Sequence, residues 1–335
     1  MFEMLGICLM LATLLTLNAL LALLASALWL VLRRRVEEWP AAALARLLFG
    51  LRVFPSILAV LFVAALLLPA YVTHEPRGAV EPVSLKLAVL AAVSAGGLLL
   101  ALWRGVAAWI ATRRLVNDWL GVAAPVRFDQ IPIPAYRLRH QFPVIAIVGA
   151  IRPKLFIADH LFQSLTREEM AAAVAHECGH LAARDNLKRP LLRACRDALA
   201  IIPSGASLDR AWAEASEASA DEHAARGGSE VALDLASALI KIVRLVPEGV
   251  KPTFPAGALL ISGAVAGGGA GIAQRVRRLT RLATLEDVSP GMRTFNVWPW
   301  ALFAAILISM ISLATDPSTL QTVHHGIEIA VSKLQ

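Results

Sequence analysis

The chain has 335 residues, of which 57% are hydrophobic, and a mean hydropathy of +0.63; it is too apolar for an ordinary soluble domain of this length and belongs in a lipid bilayer. Its net charge is +7, but the Lys and Arg residues cluster beside apolar runs rather than on one stripe, which argues for membrane topology and against nucleic acid as a partner. The cysteines, Cys8, Cys178 and Cys195, are too few and too scattered for a disulfide framework or a thiolate metal site, and the position of Cys178 points to a reducing compartment.

In chain order, Leu5 to Leu32 contains no charged residue and reads as a first membrane span. Met1 to Gly6 lacks a basic start and a cleavage-like site, so this segment is expected to stay attached. Val53 to Thr73 is the second span, Leu87 to Trp103 (closed by Lys86 and Arg104) the third, and Thr294 to Thr315 the fourth. Pro252 to Gln274 is also uncharged, but its glycines make a poor helix, and it reads as a flexible loop, either a lid, a re-entrant segment or a surface loop. Arg33, Arg34, Arg35, Arg46 and Arg52 follow the first span, so the first loop is expected inside. Four spans then keep Arg113, Arg114 and the cluster Arg275, Arg277, Arg278 and Arg281 on that same side, with both termini outside.

The expected organisation is therefore a membrane domain over residues 1–115, a cytoplasmic catalytic domain over 116–292, and a fourth span with a short external tail over 293–335. The fold class is an α-helical integral membrane protein with a cytoplasmic α+β domain. Val144 to Val148 and Leu155 to Ala158, joined through Gly149 and Pro153, read as paired strands, and the first is a candidate edge strand for an extended substrate. Thr166 with Glu169 forms a capping box that starts a helix, and a second helix is expected from Ser207 to Arg226, ending at Gly227-Gly228.

The first of these helices carries His176-Glu177-Cys178-Gly179-His180. Histidines four apart project from one helix face, at the separation two ligands of one zinc ion require. Glu177 points to a neighbouring position, where it can serve as general base toward a water that the metal activates. A third ligand is expected at Glu217, with Asp221 one turn later orienting a ligand histidine through its free ring nitrogen. Glu214, Glu222 and His223 are rivals for these roles. His223 and Arg226 are candidates for stabilising an oxyanion.

Arg152-Pro153-Lys154-Leu155-Phe156-Ile157, Leu165-Thr166-Arg167-Glu168-Glu169, Ala175 to His180 and Arg184-Asp185 together resemble the BlaR/MecR group of membrane metallopeptidases, in the same order. The resemblance implies a zincin-type, gluzincin-like domain behind three spans, with a fourth span after it. It implies one catalytic Zn2+ on His176, His180 and Glu217, Glu177 as catalytic base and Asp221 as acidic partner. It also implies a bacterial cytoplasmic (inner) membrane, and a repressor or membrane protein as the substrate that is cut. After Thr315 only a short tail follows, far below the ~50 residues of a folded sensor, so sensing of β-lactams is not expected. Two other readings stand beside it: a quality-control protease of membrane proteins, resembling the heat-shock membrane zinc proteases, and a non-catalytic membrane scaffold or receptor with a structural metal. Cys178 reads as a small buried thiol, Gly179 as a residue that loosens the helix slightly, and the Arg275 to Arg281 cluster as a contact to anionic lipid headgroups.

Overall fold

The computed structural model describes residues 2–76, 83–128, 131–199, 205–246, 268–284, 305, 308–310 and 312–334. Among these, three helical stretches are long and apolar enough to cross a membrane: Phe2–Leu32, Ala41–His74 and Leu85–Val122. These apolar helices make the protein membrane-associated. The fourth expected span, 294–315, lies mostly outside the described residues.

Helix α1 is Phe2–Leu32. Helix α2, Ala41–Phe62, continues through a π-helical turn, Val63–Leu67, into α3, Leu68–His74. Helix α4, Leu85–Val122, has 38 residues, about 57 Å at 1.5 Å per residue, against a hydrocarbon core of roughly 30 Å. The run Leu5 to Leu32 thus fills nearly all of α1, whereas Val53 to Thr73 is only the C-terminal part of Ala41–His74 and Leu87 to Trp103 only the N-terminal part of α4. Arg46 and Arg52, read as loop residues, belong to α2, and Arg52 is buried. Its Nε donates to Asp209 at 2.9 Å, an interaction available only where the helix leaves lipid and meets protein.

The remaining chain opens with β1, Ala124–Val126, and β2, Ala135–Leu138, followed by β3, Ile145–Val148, and β4, Lys154–Ala158. The sheet order is β1-β2-β4-β3, so β3 is a terminal strand, paired antiparallel with β4. Its four residues are all buried, which explains why an apolar run rather than an alternating one encodes it. After the short α5, Leu161–Ser164, come α6, Arg167–Ala183, and α7, Asp185–Ala198. Then follow α8, Ala206–Ala225, and α9, Ser229–Arg244. Both bonds of the capping box are present: Glu169 N–H donates to Thr166 Oγ1 at 3.2 Å, and Thr166 N–H to Glu169 Oε2 at 2.9 Å. Lys241 and Ser237 of α9 also donate to Glu169, tying the start of the motif helix to its neighbour.

Helix α10, Gly268–Thr284, corrects the loop expected over 252–274, since its first residues are helical. Each glycine costs a helix about 1 kcal/mol, but Arg275 and Leu279 are buried against the core, and tertiary packing outweighs propensity. Residues 252–267 lie outside the described residues. The tail is not a mere extension either: α11, Pro317–Leu334, packs Ile327 and Val331 against Leu9, Leu67 and Tyr71 of the membrane helices.

Candidate metal centre

Helix α6 presents His176 and His180 with ring centroids 4.9 Å apart and nearly perpendicular, and α8 presents Glu217 opposite them. One ligand atom from each of the three lies within 4.8 Å of the others. Glu217 Oε1 is 3.6 Å from His180 Nε2 and its Oε2 is 3.7 Å from His176 Nε2. These separations exceed a hydrogen bond and suit atoms that face a common ion. The three residues could hold a metal.

Each histidine is fixed from behind by its own carboxylate. Asp221 Oδ1 lies 2.9 Å from His176 Nδ1, and Asp185 Oδ2 lies 2.8 Å from His180 Nδ1, which points both Nε2 atoms toward Glu217. Ser216 Oγ donates to the same Asp185 oxygen at 2.6 Å. Asp185 reaches back because the chain turns at Arg184, the one described non-glycine residue with a positive φ, 56°. A carboxylate five residues after the second histidine was a signal available in the sequence, but only this turn converts it into a contact.

Three buried polar atoms bear on an ion: His180 Nε2 makes no hydrogen bond, Glu217 Oε2 has only the Arg275 guanidinium, 3.1 Å away, and Glu177 Oε1 makes no hydrogen bond. Unpaired buried acceptors are costly. A cation between the first two, with Glu177 beside it, removes that cost, so the residues present fit a bound metal.

Glu177 is anchored by its other oxygen, which accepts from Ile147 N–H at 3.0 Å. Burial raises its pKa; the charges of His180 and His176 and the Ile147 bond act in the opposite direction without overturning it. For His176, burial and the Arg275 charge push downward, but its contact with Asp221 and the nearby Glu217 carboxylate outweigh them and lift it to about 9. Burial would raise Glu217, yet the His180 and Arg275 charges hold it well below the usual carboxylate range. Asp221 is likewise held low, burial being outweighed first by Arg275.

Arg275 is the residue that sequence reading missed. From α10 it donates to both oxygens of Asp221, at 2.6 and 3.1 Å, and places Nη1 3.1 Å from Glu217 Oε2. By sequence it groups with its neighbours as a lipid-headgroup contact, since nothing in the spacing separates Arg275 from Arg278, which pairs with Glu222. The oxyanion candidates stand differently. Arg226 is exposed at the end of α8, outside the cluster, and His223 is half-buried beside Gly179. Of the rival ligands, Glu214 is exposed, and Glu222 accepts from the Ala41 N–H at the start of α2.

Whatever helix propensity Gly179 costs α6, the position has a packing reason. A Cβ there would fall 2.9 Å from Ala220 Cα, so the glycine lets α8 approach closely enough to deliver Glu217. The Cys178 thiol is half-buried and pushed up by burial and then by the Glu177 charge, the behaviour of an inert packing residue.

Residues 146–208 match Peptidase family M48. The matched segment runs from β3 through the motif helix and α7, and it supports a metallopeptidase. It leaves out Glu217, Asp221 and Arg275, which join the centre through the fold. Comparisons with curated proteins and with solved structures find no match.

Proposed function

We propose that the protein is a membrane-embedded zinc endopeptidase that hydrolyses peptide bonds of a cytosolic or membrane-bound regulatory protein. The observation that carries the reading is the convergence of His176, His180 and Glu217 beside a carboxylate, Glu177, with one oxygen anchored and the other unpaired. Two imidazoles and one carboxylate suit zinc, which when bound would polarise the scissile carbonyl and acidify water. Glu177 takes the proton of the attacking water at Oε1 and gives it to the leaving amine as the C–N bond breaks. The Ile147 N–H holds the carboxylate in place before substrate arrives, and burial raises its pKa toward that of a group that both accepts and returns a proton. Asp221 and Asp185 hold the imidazoles in register, and Arg275 neutralises the acidic pair Glu217 and Asp221.

The order of motifs shared with the BlaR/MecR group supports a regulator as substrate. The likeness to the heat-shock membrane zinc proteases favours a second substrate class, membrane proteins cleared by quality control. A structural metal site has no need of a buried base, which weighs against a scaffold. The arginine distribution supports an inner-membrane protein with its catalytic region in the cytoplasm.

The test compares wild type with His176→Ala and Glu177→Ala. Metal analysis should show loss of zinc in the histidine variant and retention in Glu177→Ala, and proteomics of cytosolic and membrane fractions should show fragments that require Glu177. Full zinc retention in His176→Ala, or identical fragments with and without Glu177, would sink the reading.

A further inference from the structure

A cavity of about 200 Å³ lies between α4 and α7, adjoining the end of β3, and peptide hydrolysis as described makes no use of it. Ala101, Gly105, Ala108 and Trp109 of α4 face Pro190 and Ala194 of α7 across it. At one end the helices touch: a Cβ on Gly97 would fall 2.6 Å from the Ala198 carbonyl oxygen, and Arg104 bridges to Asp197 at 2.9 Å. At the other end the lining consists of Gly149, Ala150 and Asn186. The space is therefore a wedge with its mouth at the end of β3.

That end of β3 is continuous with the catalytic centre. Ala158 N–H donates to Val144 O, so the alternation of an antiparallel ladder turns the main-chain groups of Ile147 away from β4. Ile147 N–H meets Glu177, while Asn186 Nδ2 donates to Ile147 O at 2.9 Å and to Gly149 O at 3.2 Å. These side chains stand where the backbone of an added strand would bond. A substrate that pairs at Ile147 takes over the places of Glu177 and Asn186 on its main chain, and so passes beside the catalytic carboxylate. Two residues on, about 6.8 Å along a strand, it reaches Gly149 and the mouth of the wedge.

We infer that the α4–α7 wedge is the specificity pocket of the peptidase, holding one bulky apolar side chain of an extended substrate, two positions from the residue that pairs with Ile147. The inference rests on the peptidase reading and names the chemistry of its substrate. The wedge is smaller than the roughly 300–1,000 Å³ of pockets for drug-sized ligands, which suits a single side chain. Alanine, glycine, proline and the Trp109 ring form most of its lining, and the charges of Arg104 and Asp197 neutralise each other. A polar side chain would lose water there without a matching set of partners. Arg193 also lines the wedge, so an acidic tip is the competing occupant that the experiment must include.

The experiment uses the full chain in detergent, zinc-loaded, with Glu177→Ala to prevent turnover. The probes are fluorescein-labelled decapeptides of Ala and Ser in which one Phe, or one Glu, is moved position by position, and binding is read by anisotropy. One Phe register should bind about tenfold or more tighter than the Phe-free parent, as burial of one large apolar side chain provides. Filling the wedge with Gly105→Leu or Ala108→Leu should remove that advantage, whereas Leu102→Ala, exposed on α4 and outside the wedge, should keep it. Register-independent binding, absence of binding, an advantage that survives filling, or Glu binding tighter than Phe overturns the inference. Wild-type cleavage of the same peptides separates the two claims. Register-dependent binding without cleavage removes the hydrolytic reading and keeps the pocket, while cleavage indifferent to register and to filling does the reverse.

Discussion

Gly179 and Ala220 set the distance between the helix that carries the histidines and the helix that carries Glu217, because a Cβ on Gly179 would meet Ala220 Cα at 2.9 Å. The neighbour is backbone, so it cannot swing aside. For Gly179→Ala, the gain in helix propensity is about 1 kcal/mol and the cost of overpacking about 1–3 kcal/mol. The variant should therefore be less stable by up to about 2 kcal/mol and should also bind zinc more weakly, since α8 must shift. Thermal midpoints with and without zinc check this; a higher midpoint with unchanged zinc affinity would contradict the contact.

Glu217 and Asp221 are both carboxylates of α8, but only Glu217 faces both Nε2 atoms, while Asp221 stands behind His176. Loss of an orienting partner typically costs roughly 10- to 100-fold in affinity or activity. Glu217→Gln should exceed that, Asp221→Asn should fall within it, and the exposed Glu214 should be replaceable by Gln without effect. Chelator competition on the three purified variants ranks them. Loss of metal in Glu214→Gln alone would mean that the register is wrong by one helical turn.

Proton release on metal binding follows from His176. With its pKa lifted to about 9, the metal-free imidazole is protonated at neutral pH, and a metal can bind its nitrogen only by displacing the proton. Affinity should rise with pH up to about 9 and then level off, with about one proton released per ion near pH 7. Calorimetry in buffers of different ionisation enthalpy measures that proton; zero release would show that His176 is neutral before the metal arrives.

Glu169 should give the protein an acid-sensitive joint between α6 and α9. Burial raises its pKa, but its bonds to Lys241, Ser237 and Thr166 outweigh this and hold the carboxyl below its ordinary 4.5. A lowered acid contributes stability that is present above its unfolded value and lost as pH falls through the folded one. Glu169→Gln should therefore be destabilising at neutral pH, and its difference from wild type should shrink steadily below pH 4.5. Urea midpoints over that range decide it. A constant difference would assign the effect to packing instead.

Topology gives a further prediction. Reporter fusions at Gln335 and near Arg278 should lie on opposite sides of the membrane, from the arginine distribution. Fusions that report the same side would require another crossing between them or one fewer.

The parts of this molecule legible in sequence are those encoded by local rules. The capping box of Thr166 and Glu169, the two α6 histidines and the helix ending before Gly227 all depend on spacing along one element, and each is present in the structure. The apolar runs announced the membrane helices but not their length, since Arg46 and Arg52 enter α2 only through partners such as Asp209, far away in sequence. Arg275 is invisible as a site residue for the same reason, and the spacing of Asp185 after His180 does not by itself show the contact. Their roles come from a helix that packs from afar and from a single left-handed turn at Arg184.

Helix α2 touches α8 at both ends, through Glu222 at the Ala41 N–H and through Arg52 at Asp209, while Trp29, Leu48 and Trp212 fill the space between. The helix that supplies Glu217 thus leans on a wall that grows out of the bilayer. An anchor in the usual sense is interchangeable, and this one is not: grafting residues 116–284 onto a foreign membrane segment would remove the Ala41, Arg52, Leu48 and Trp29 contacts behind the helix of the third ligand. The part of the protein that can be moved between scaffolds begins near Trp29, and the membrane helices are as much a part of the enzyme as the motif they hold in place.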